Sequence, residues 1–234
     1  MKTVAIIPAG GTGKRMGSRL PKQYLSLAGI PILVHTLNVF QHSPIIDEIL
    51  LAVPEGDPAD VRRNVVGQFD ISKVSRVLAG GRERQDSVRN ALANVRDEHD
   101  IIVVHDAVRP FVTEDLIERV VAGAKAFGAV IVGIPLRDTV KEVDGSGCVA
   151  RTVPREGLWL TQTPQAFRRK VILAAYERAA ADRFCGTDDA SLVERTGIPV
   201  RMILGDADNI KLTTPEDLAR GERIIRRFAV GGAD

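Results

Sequence analysis

Short apolar runs and helical patterns alternate along the chain. Runs rich in Val and Ile predict strands at residues 3–8, 47–53, 73–78, 100–105, 128–134 and 199–204. Apolar positions recurring every three or four residues predict helices at residues 31–42, 57–68, 82–95, 113–126, 168–182, 188–195 and 215–228. Because short β-branched strands alternate with helices, we expect an α/β fold with a mainly parallel sheet and helices on both faces.

One stretch, at about residues 136–156, breaks this alternation. Polar and apolar positions alternate there on both sides of Asp144-Gly145, a pair typical of hairpin turns. A two-stranded ribbon is marginally stable alone in water, so we expect it to pack against a second subunit. The sequence therefore predicts a single domain over residues 1–234 with a protruding β-hairpin arm that joins two copies.

Composition narrows the class of protein. The length of 234 residues suits one α/β domain, and 32 basic against 30 acidic residues leave no basic footprint for nucleic acid. The apolar runs are far shorter than the roughly 20 residues of a membrane span. Cys148 and Cys185 are isolated, which suggests neither zinc nor a disulfide framework. With a strand directly after Met-Lys-Thr, no signal peptide is expected, and we predict a cytoplasmic protein without nucleic-acid or membrane partners.

The strongest chemical signal is a glycine-rich loop directly after the first predicted strand. Its glycines and cations are Gly10, Gly11, Gly13, Lys14, Arg15 and Lys22. Glycine tolerates positive φ and close approach, so such a loop can turn its backbone N–H groups toward an anion. The cations then neutralise the anion, an arrangement that suits a nucleoside triphosphate.

Two familiar glycine motifs do not fit this loop. The dinucleotide fingerprint GxGxxG fails because position 16 is Met16, and the P-loop fails because Lys14 is followed by Arg15 rather than Ser or Thr. A connecting turn without a ligand is the remaining alternative. Lys22, placed directly after Pro21, argues against it, since a plain turn needs no flanking cations.

The predicted strand ending at Val104 leads into His105 and Asp106. Ligands of open parallel sheets bind beyond the carboxyl ends of the strands, so Asp106 is expected at the same edge as the glycine loop. A strand-ending aspartate is commonly a turn cap. Beside a triphosphate loop, however, its carboxylate suits Mg²⁺, or another divalent cation, which binds triphosphates while keeping several waters.

Eight sequence motifs resemble those of one enzyme family, and they occur in the same order along the chain. The strings are PAGGTGKRM, PKQYL, VHDAVRPF, RDTVK, REGLW, QTPQAF, GTDDASLVE and DNIKLTTPEDL. They are similar to those of 2-C-methyl-D-erythritol 4-phosphate cytidylyltransferases from about residue 3 to 220. The resemblance implies a Rossmann-like nucleotidyltransferase fold and a homodimer held by the arm. It also implies transfer of CMP from CTP to the polyol phosphate with release of pyrophosphate, an early step of isoprene biosynthesis by the non-mevalonate pathway.

The resemblance also implies roles for individual residues. The catalytic cations are Arg15, Lys22 and Lys211. The nucleotide-binding positions are Ala9, Gly10, Gly11, Gly13, Gly80, Gly81 and Ser87. The residues around the polyol phosphate are Asp106, which is also the metal ligand, Arg109, Thr139, Arg155 and Thr163. Thr139 and Arg155 lie on the arm and are expected to reach the partner's site.

Three other functions are consistent with parts of the sequence. Gly10 stands where many family members carry alanine and where ribitol 5-phosphate cytidylyltransferases often carry glycine, so ribitol 5-phosphate is the alternative acceptor. The Arg155–Trp159 and Gly186–Ser191 segments favour methylerythritol phosphate. A nucleotide-binding oxidoreductase is opposed by the failed fingerprint. A non-catalytic CTP sensor would not need acceptor residues on two separate segments.

Overall fold

The computed structural model describes residues 1–11 and 20–230, with the side chains of 228–230 outside the description. The strands are β1 Lys2–Pro8, β2 Ser26–Leu27, β3 Ile30–Pro31, β4 Glu48–Val53, β5 Val74–Ala79, β6 His99–Val104, β7 Ala129–Pro135, β8 Val140–Val143, β9 Val149–Val153, β10 Trp159–Arg168 and β11 Arg201–Leu204. The α-helices are α1 Ile32–His42, α2 Pro58–Val61, α3 Arg84–Leu92, α4 Glu114–Phe127, α5 Arg169–Ala181, α6 Asp189–Glu194 and α7 Pro215–Val230. A 3-10 turn spans Lys22–Tyr24, and a π-helical stretch, Arg62–Gly67, continues α2.

The described residues build a seven-stranded sheet in the order β11-β7-β10-β6-β1-β4-β5. Neighbouring strands pair in parallel, except that β10 pairs antiparallel with both β6 and β7. The prediction of a mainly parallel sheet covered by helices is therefore confirmed.

The sequence pattern predicts no strand between residues 156 and 199, and this prediction is wrong, because the structure contains β10 there. Its polar Thr161–Gln165 stretch gave no alternating or apolar pattern, but the structure inserts it between β6 and β7. Gln162, Thr163 and Gln165 are all buried there. Their side chains hydrogen-bond to residues of neighbouring loops, which is why polar residues are tolerated inside the sheet.

Each central strand is buried on both faces, as apolar runs without alternation predict. Ala5 and Ile7 of β1 face the core formed with α1 and α4, whereas Val4 and Ile6 face the core formed with α3, α5 and α6. A smaller cluster that includes Leu212 and Ile224 packs α7 against the loop after β6.

The hairpin predicted near residues 136–156 is present as β8 and β9, which pair antiparallel. Nearly every residue of this arm is exposed, including the apolar Val143 and Val149. Within the described ranges, no helix combines the length and the apolar character that a membrane span requires.

Candidate active site

A cavity of about 280 Å³ opens at the carboxyl ends of β1 and β6. Its predicted site residues are Ala9, Gly10, Gly11, Lys22, Gly81, Ser87, Asp106 and Lys211. The structure thus brings together segments from the two ends and the middle of the chain. Gly13 and Arg15, also predicted for this site, lie outside the described residues.

The first part of the glycine loop is held by hydrogen bonds at Ala9. The Ala9 N–H donates to Ala52 O at 2.6 Å, and Gln23 Nε2 donates to Ala9 O at 2.5 Å. Gln23 is almost fully buried and lines the cavity, yet nothing in its sequence context marked it. The Lys22 ammonium lies over the loop, since a Cβ built on Gly11 would be 3.8 Å from Nζ.

The turn between β5 and α3 forms a second wall, where glycine is required by close approach. A Cβ on Gly80 would lie 2.8 Å from Ser87 Oγ, and one on Gly81 would collide with Asp86. Ser87 Oγ accepts a hydrogen bond from the Gly81 N–H at 3.0 Å and donates to Glu83 O at 3.2 Å. Ser87 therefore shapes the turn. Gly81 and Ser87 line the cavity, whereas Gly80, predicted with them for the nucleotide, lies behind its wall against Ser87.

Asp106 is the electrostatic centre of the site. Among the described residues, three cations contact its carboxylate: Arg84 Nε at 3.0 Å, Lys211 Nζ at 2.9 Å and Arg109 Nε at 3.4 Å. Burial by itself raises the pKa of Asp106, but Arg84, Lys211 and Arg109 hold that pKa well below its ordinary value. Asp106 is therefore an anion at neutral pH.

Thr163 and His105 support the backbone at Asp106. Thr163 Oγ1 accepts from the Asp106 N–H at 3.0 Å and lies 3.1 Å from His105 Nδ1. Burial lowers the pKa of His105 to about 4, so its ring is neutral, and His105 Nε2 pairs with Arg109 O at 3.1 Å. In the part of the chain that the structure describes, His105 thus bonds only to neighbouring groups of the site's support.

A second cavity, of about 240 Å³, adjoins the first. Its lining includes the predicted Arg109 and Thr163, together with Gln165 of β10 and Asp188 before α6. The two cavities share Asp106, Arg84 and Lys211 in their walls. A ligand in one cavity and a ligand in the other would therefore meet at Asp106.

Arg84 was missed by the sequence reasoning. It stands in the polar stretch after β5, where an arginine in the first turn of a helix gives no sign of a buried role. In the structure, Arg84 Nη1 also contacts Asp189 at 2.8 Å. Burial lowers the pKa of Arg84, but Asp189 and Asp106 more than offset this, so the pKa lies above its ordinary value.

Thr139 and Arg155 stand apart from both cavities of their own chain. Both are exposed on the arm, and Arg155 Nη1 donates to Arg137 O. Such a position is unsuited to a role in the same subunit's site, and contact with a partner's site stays the prediction for both residues.

The residues around Asp106 also indicate whether the site could bind a metal ion. Across residues 1–11 and 20–230, no cluster of three or more His, Cys, Asp or Glu side chains is arranged to hold an ion. Magnesium at triphosphate sites is commonly held by one or two carboxylates, with the phosphates and waters completing its shell. A single buried carboxylate at the wall of both cavities fits that pattern.

Comparison with known proteins agrees with this geometry. The family model for 2-C-methyl-D-erythritol 4-phosphate cytidylyltransferase matches residues 3–227. Proteins bearing that name from Syntrophus aciditrophicus and Geobacter metallireducens are 52% and 50% identical. The matches cover 97% of both chains for the first, and 97% of this chain and 98% of the relative for the second.

Solved structures give the same result. The chain is similar to the crystal structure of 2-C-methyl-D-erythritol 4-phosphate cytidylyltransferase from Thermus thermophilus, with 32% identity, a TM-score of 0.81 and coverage of 97% and 100%. It is also similar to 4-diphosphocytidyl-2C-methyl-D-erythritol synthase from Anaerococcus prevotii, with 32% identity, a TM-score of 0.84 and coverage of 96% of both chains. The chain belongs to the 2-C-methyl-D-erythritol 4-phosphate cytidylyltransferase family.

Proposed function

We propose that this protein transfers CMP from CTP to 2-C-methyl-D-erythritol 4-phosphate, giving 4-diphosphocytidyl-2-C-methylerythritol and pyrophosphate. The observation that carries the proposal is the position of Asp106 and its cations between two adjoining cavities. The cavity bounded by the glycine loop takes CTP. The cavity beside Thr163 and Arg109 takes the polyol phosphate.

The reaction needs no general base. A phosphate oxygen of the acceptor is already anionic near pH 7 and attacks the α-phosphorus of CTP in line. A new P–O bond forms while the bond between the α-phosphorus and the bridging oxygen breaks, and pyrophosphate leaves. Catalysis therefore consists of positioning both anions and stabilising the charge that develops.

Lys22 and Lys211 supply that stabilisation from the walls of the nucleotide cavity. A cation about 4 Å from developing charge contributes on the order of 4 kcal/mol at an effective dielectric constant of 20. Only the part of this interaction that strengthens in the transition state raises the rate. We assign the same role to Arg15 on the basis of its motif.

We assign Asp106 as the protein ligand of a divalent cation, with Mg²⁺ as the expected ion. When bound, such an ion neutralises charge on the triphosphate. Arg109 and Lys211 keep the Asp106 carboxylate ionised and fix its orientation through contacts of 3.4 and 2.9 Å. Arg109 is itself held, since its Nη1 donates to Asn209 O at 2.7 Å.

We further propose a homodimer joined by the arm. Large apolar side chains are exposed along it and at the adjoining start of β10, namely Val143, Val149, Leu158, Trp159 and Leu160. A second copy that covers them would receive Thr139 and Arg155 beside its acceptor cavity. A cytoplasmic location is proposed as well, because CTP is a cytoplasmic nucleotide.

The test is pyrophosphate release from CTP with methylerythritol 4-phosphate or ribitol 5-phosphate as acceptor. We expect release with the first acceptor only, and with CTP in strong preference to ATP and GTP. Equal rates with ribitol 5-phosphate would contradict the acceptor assignment. Equal use of ATP would contradict the assignment of the Gly80–Ser87 turn to a pyrimidine.

A further inference from the structure

Arg84 bridges two buried carboxylates, of which only Asp106 lies at a cavity wall. Its Nε donates to Asp106 Oδ1 at 3.0 Å, at the wall of both cavities, and its Nη1 donates to Asp189 Oδ2 at 2.8 Å. Asp189 is only 1% exposed and lines neither cavity. The proposed reaction gives Asp189 no direct part, so its buried charge needs another explanation.

A tyrosine from a third element completes the arrangement. The Tyr176 hydroxyl of α5 donates to Asp189 Oδ1 at 2.6 Å. One oxygen of Asp189 therefore accepts from Tyr176 and the other from Arg84, which fixes the plane of the carboxylate. A buried carboxylate satisfied in this way holds the guanidinium in one orientation.

The start of α6 is itself tied to the elements around the site. Gln165 Nε2 of β10 donates to Asp188 Oδ2 at 2.7 Å, and Gln165 Oε1 accepts from the Ala190 N–H at 3.1 Å. Gln85, next to Arg84 on α3, accepts from the Gly186 N–H at 2.9 Å. Asp189 is thus held at a fixed distance from both β10 and α3.

The orientation of Arg84 matters because a guanidinium can pair with one carboxylate through two parallel N–H groups. Bound also to Asp189, Arg84 presents its Nε to Asp106. Released from Asp189, Arg84 would be free to turn two N–H groups to Asp106 and pair with both carboxylate oxygens, whereas in the structure only Oδ1 accepts from it. Asp106 would then be less available to the metal ion and to the acceptor.

We propose that Asp189 and Tyr176 are positioning residues, which keep Arg84 from covering Asp106 and so keep Asp106 open to its ligands. This inference rests on the proposed function. It assigns a role in the reaction to two buried side chains that line neither cavity.

The test uses Tyr176→Phe and Asp189→Asn, each in the otherwise wild-type chain and in an Arg84→Lys background. Lysine keeps the charge but lacks the planar fork that joins the two carboxylates. Glu48→Gln is the matched control, because Glu48 is also a buried carboxylate bonded to an arginine and a hydroxyl, Arg96 and Ser75. It lies at the start of β4, at the opposite end of the sheet.

We expect Tyr176→Phe to lower kcat/KM for the polyol phosphate about tenfold and Asp189→Asn to lower it further, as loss of residues that orient a ligand-binding side chain commonly does. Both losses should shrink severalfold in the Arg84→Lys background, because the effect passes through Arg84. Glu48→Gln should reduce thermal stability and leave kcat/KM unchanged. Equal losses in both backgrounds, or losses matched by Glu48→Gln, would overturn the proposal.

A second measurement is independent of turnover. The Arg84 Nε–H signal, identified by its loss in Arg84→Lys, should exchange with solvent faster in Tyr176→Phe and Asp189→Asn than in wild type or Glu48→Gln. Unchanged exchange would overturn the tether even if the enzyme is active. Faster exchange in a chain that fails to use CTP would support the tether and reject the proposed function instead.

Discussion

At the scale of single residues, the site depends on one carboxylate surrounded by cations. Asp106 is 6% exposed, so its charge is stable only because Arg84, Arg109 and Lys211 lie within 3.4 Å of it. The three cations depend on Asp106 in turn, since they would repel one another without its negative charge. Asp106 therefore stabilises this part of the fold, and in the proposed reaction it serves the chemistry as well.

Asp106→Asn is accordingly predicted to cost both activity and stability. Removing one partner of a buried ion pair typically costs about 3 to 5 kcal/mol of folding free energy. We expect a loss of about 3 kcal/mol by chemical denaturation, and pyrophosphate release at least about a hundredfold slower. Asp115→Asn is the control, because Asp115 pairs with Arg119 on the exposed face of α4. Equal stability of the two variants would contradict the prediction.

Lys22→Ala is predicted to slow turnover far more than it weakens CTP binding. Its ammonium lies beside Gly11 at the wall of the cavity, where the proposed reaction develops charge as pyrophosphate leaves. Loss of one such donor commonly lowers kcat by about a hundred- to a thousandfold. Steady-state rates and calorimetric CTP binding measure the two effects, and the same result is expected for Arg15→Ala. Lys170→Ala, on the exposed side of α5, serves as the control. Near-normal turnover would remove Lys22 from the mechanism.

At the scale of elements, the turn from β5 into α3 both starts a helix and forms a wall of the cavity that is proposed to bind CTP. Glu83 and Asp86 form a capping box at the start of α3, which is the same turn that presents Gly81 and Ser87 to the cavity. The chain has to pass so close to this helix start that side chains at Gly80 and Gly81 find no room. The shape of this wall of the cavity is therefore set by the geometry of the first turn of α3.

Gly81→Ala and Gly10→Ala make a matched pair at this element. The added methyl group collides with Asp86 at position 81, whereas at position 10 its nearest neighbour is Ser87 Oγ at 3.4 Å. We expect Gly81→Ala to raise KM for CTP at least about tenfold, because a small displacement of binding groups is costly. Gly10→Ala should stay within about twofold of wild type in the same assay. Similar KM values for both variants would show that the turn does not shape the cavity.

At the scale of the whole molecule, the arm is the feature that a single chain leaves unexplained. Its two strands pair only with each other among the described strands, and they expose apolar residues such as Val149. Arg155 and Thr139 are equally exposed, away from both cavities of their own chain. A two-fold dimer would resolve both observations by burying the arm and delivering these side chains to the second site.

Mixing two inactive variants tests this arrangement. Arg155→Ala and Lys22→Ala proteins should each be nearly inactive alone. After subunit exchange, about half of the dimers are mixed and hold one site in which both residues are intact, so activity should approach roughly a quarter of wild type. Light scattering or labelled subunits would verify the exchange. Absence of recovery despite exchange would mean that Arg155 acts within its own chain or only structurally.

The sequence alone determined the class of fold and named several of the residues that line the cavity beside Asp106. Apolar runs such as Ile101–Val104 specify strands buried on both faces, because a strand that is apolar throughout cannot leave one face in water. Asp144-Gly145 predicted a hairpin here, and the structure closes it with a longer loop, in which Asp144 Oδ1 accepts from the Ser146 and Cys148 N–H groups and Gly147 has a positive φ. The motifs around Lys22, Ser87, Asp106 and Lys211 pointed to residues that line one cavity.

Only the tertiary structure decided which of these residues meet and what supports them. β10 enters the sheet although its centre is polar, because hydrogen bonds from Asn209 and to Asp188 satisfy its buried groups. Arg84 and Asp189 pair across 105 positions of sequence. Local patterns record whether a position is buried, but the partner of a buried charge is set by which loops the strand order brings to one edge, and no short stretch of sequence contains that information.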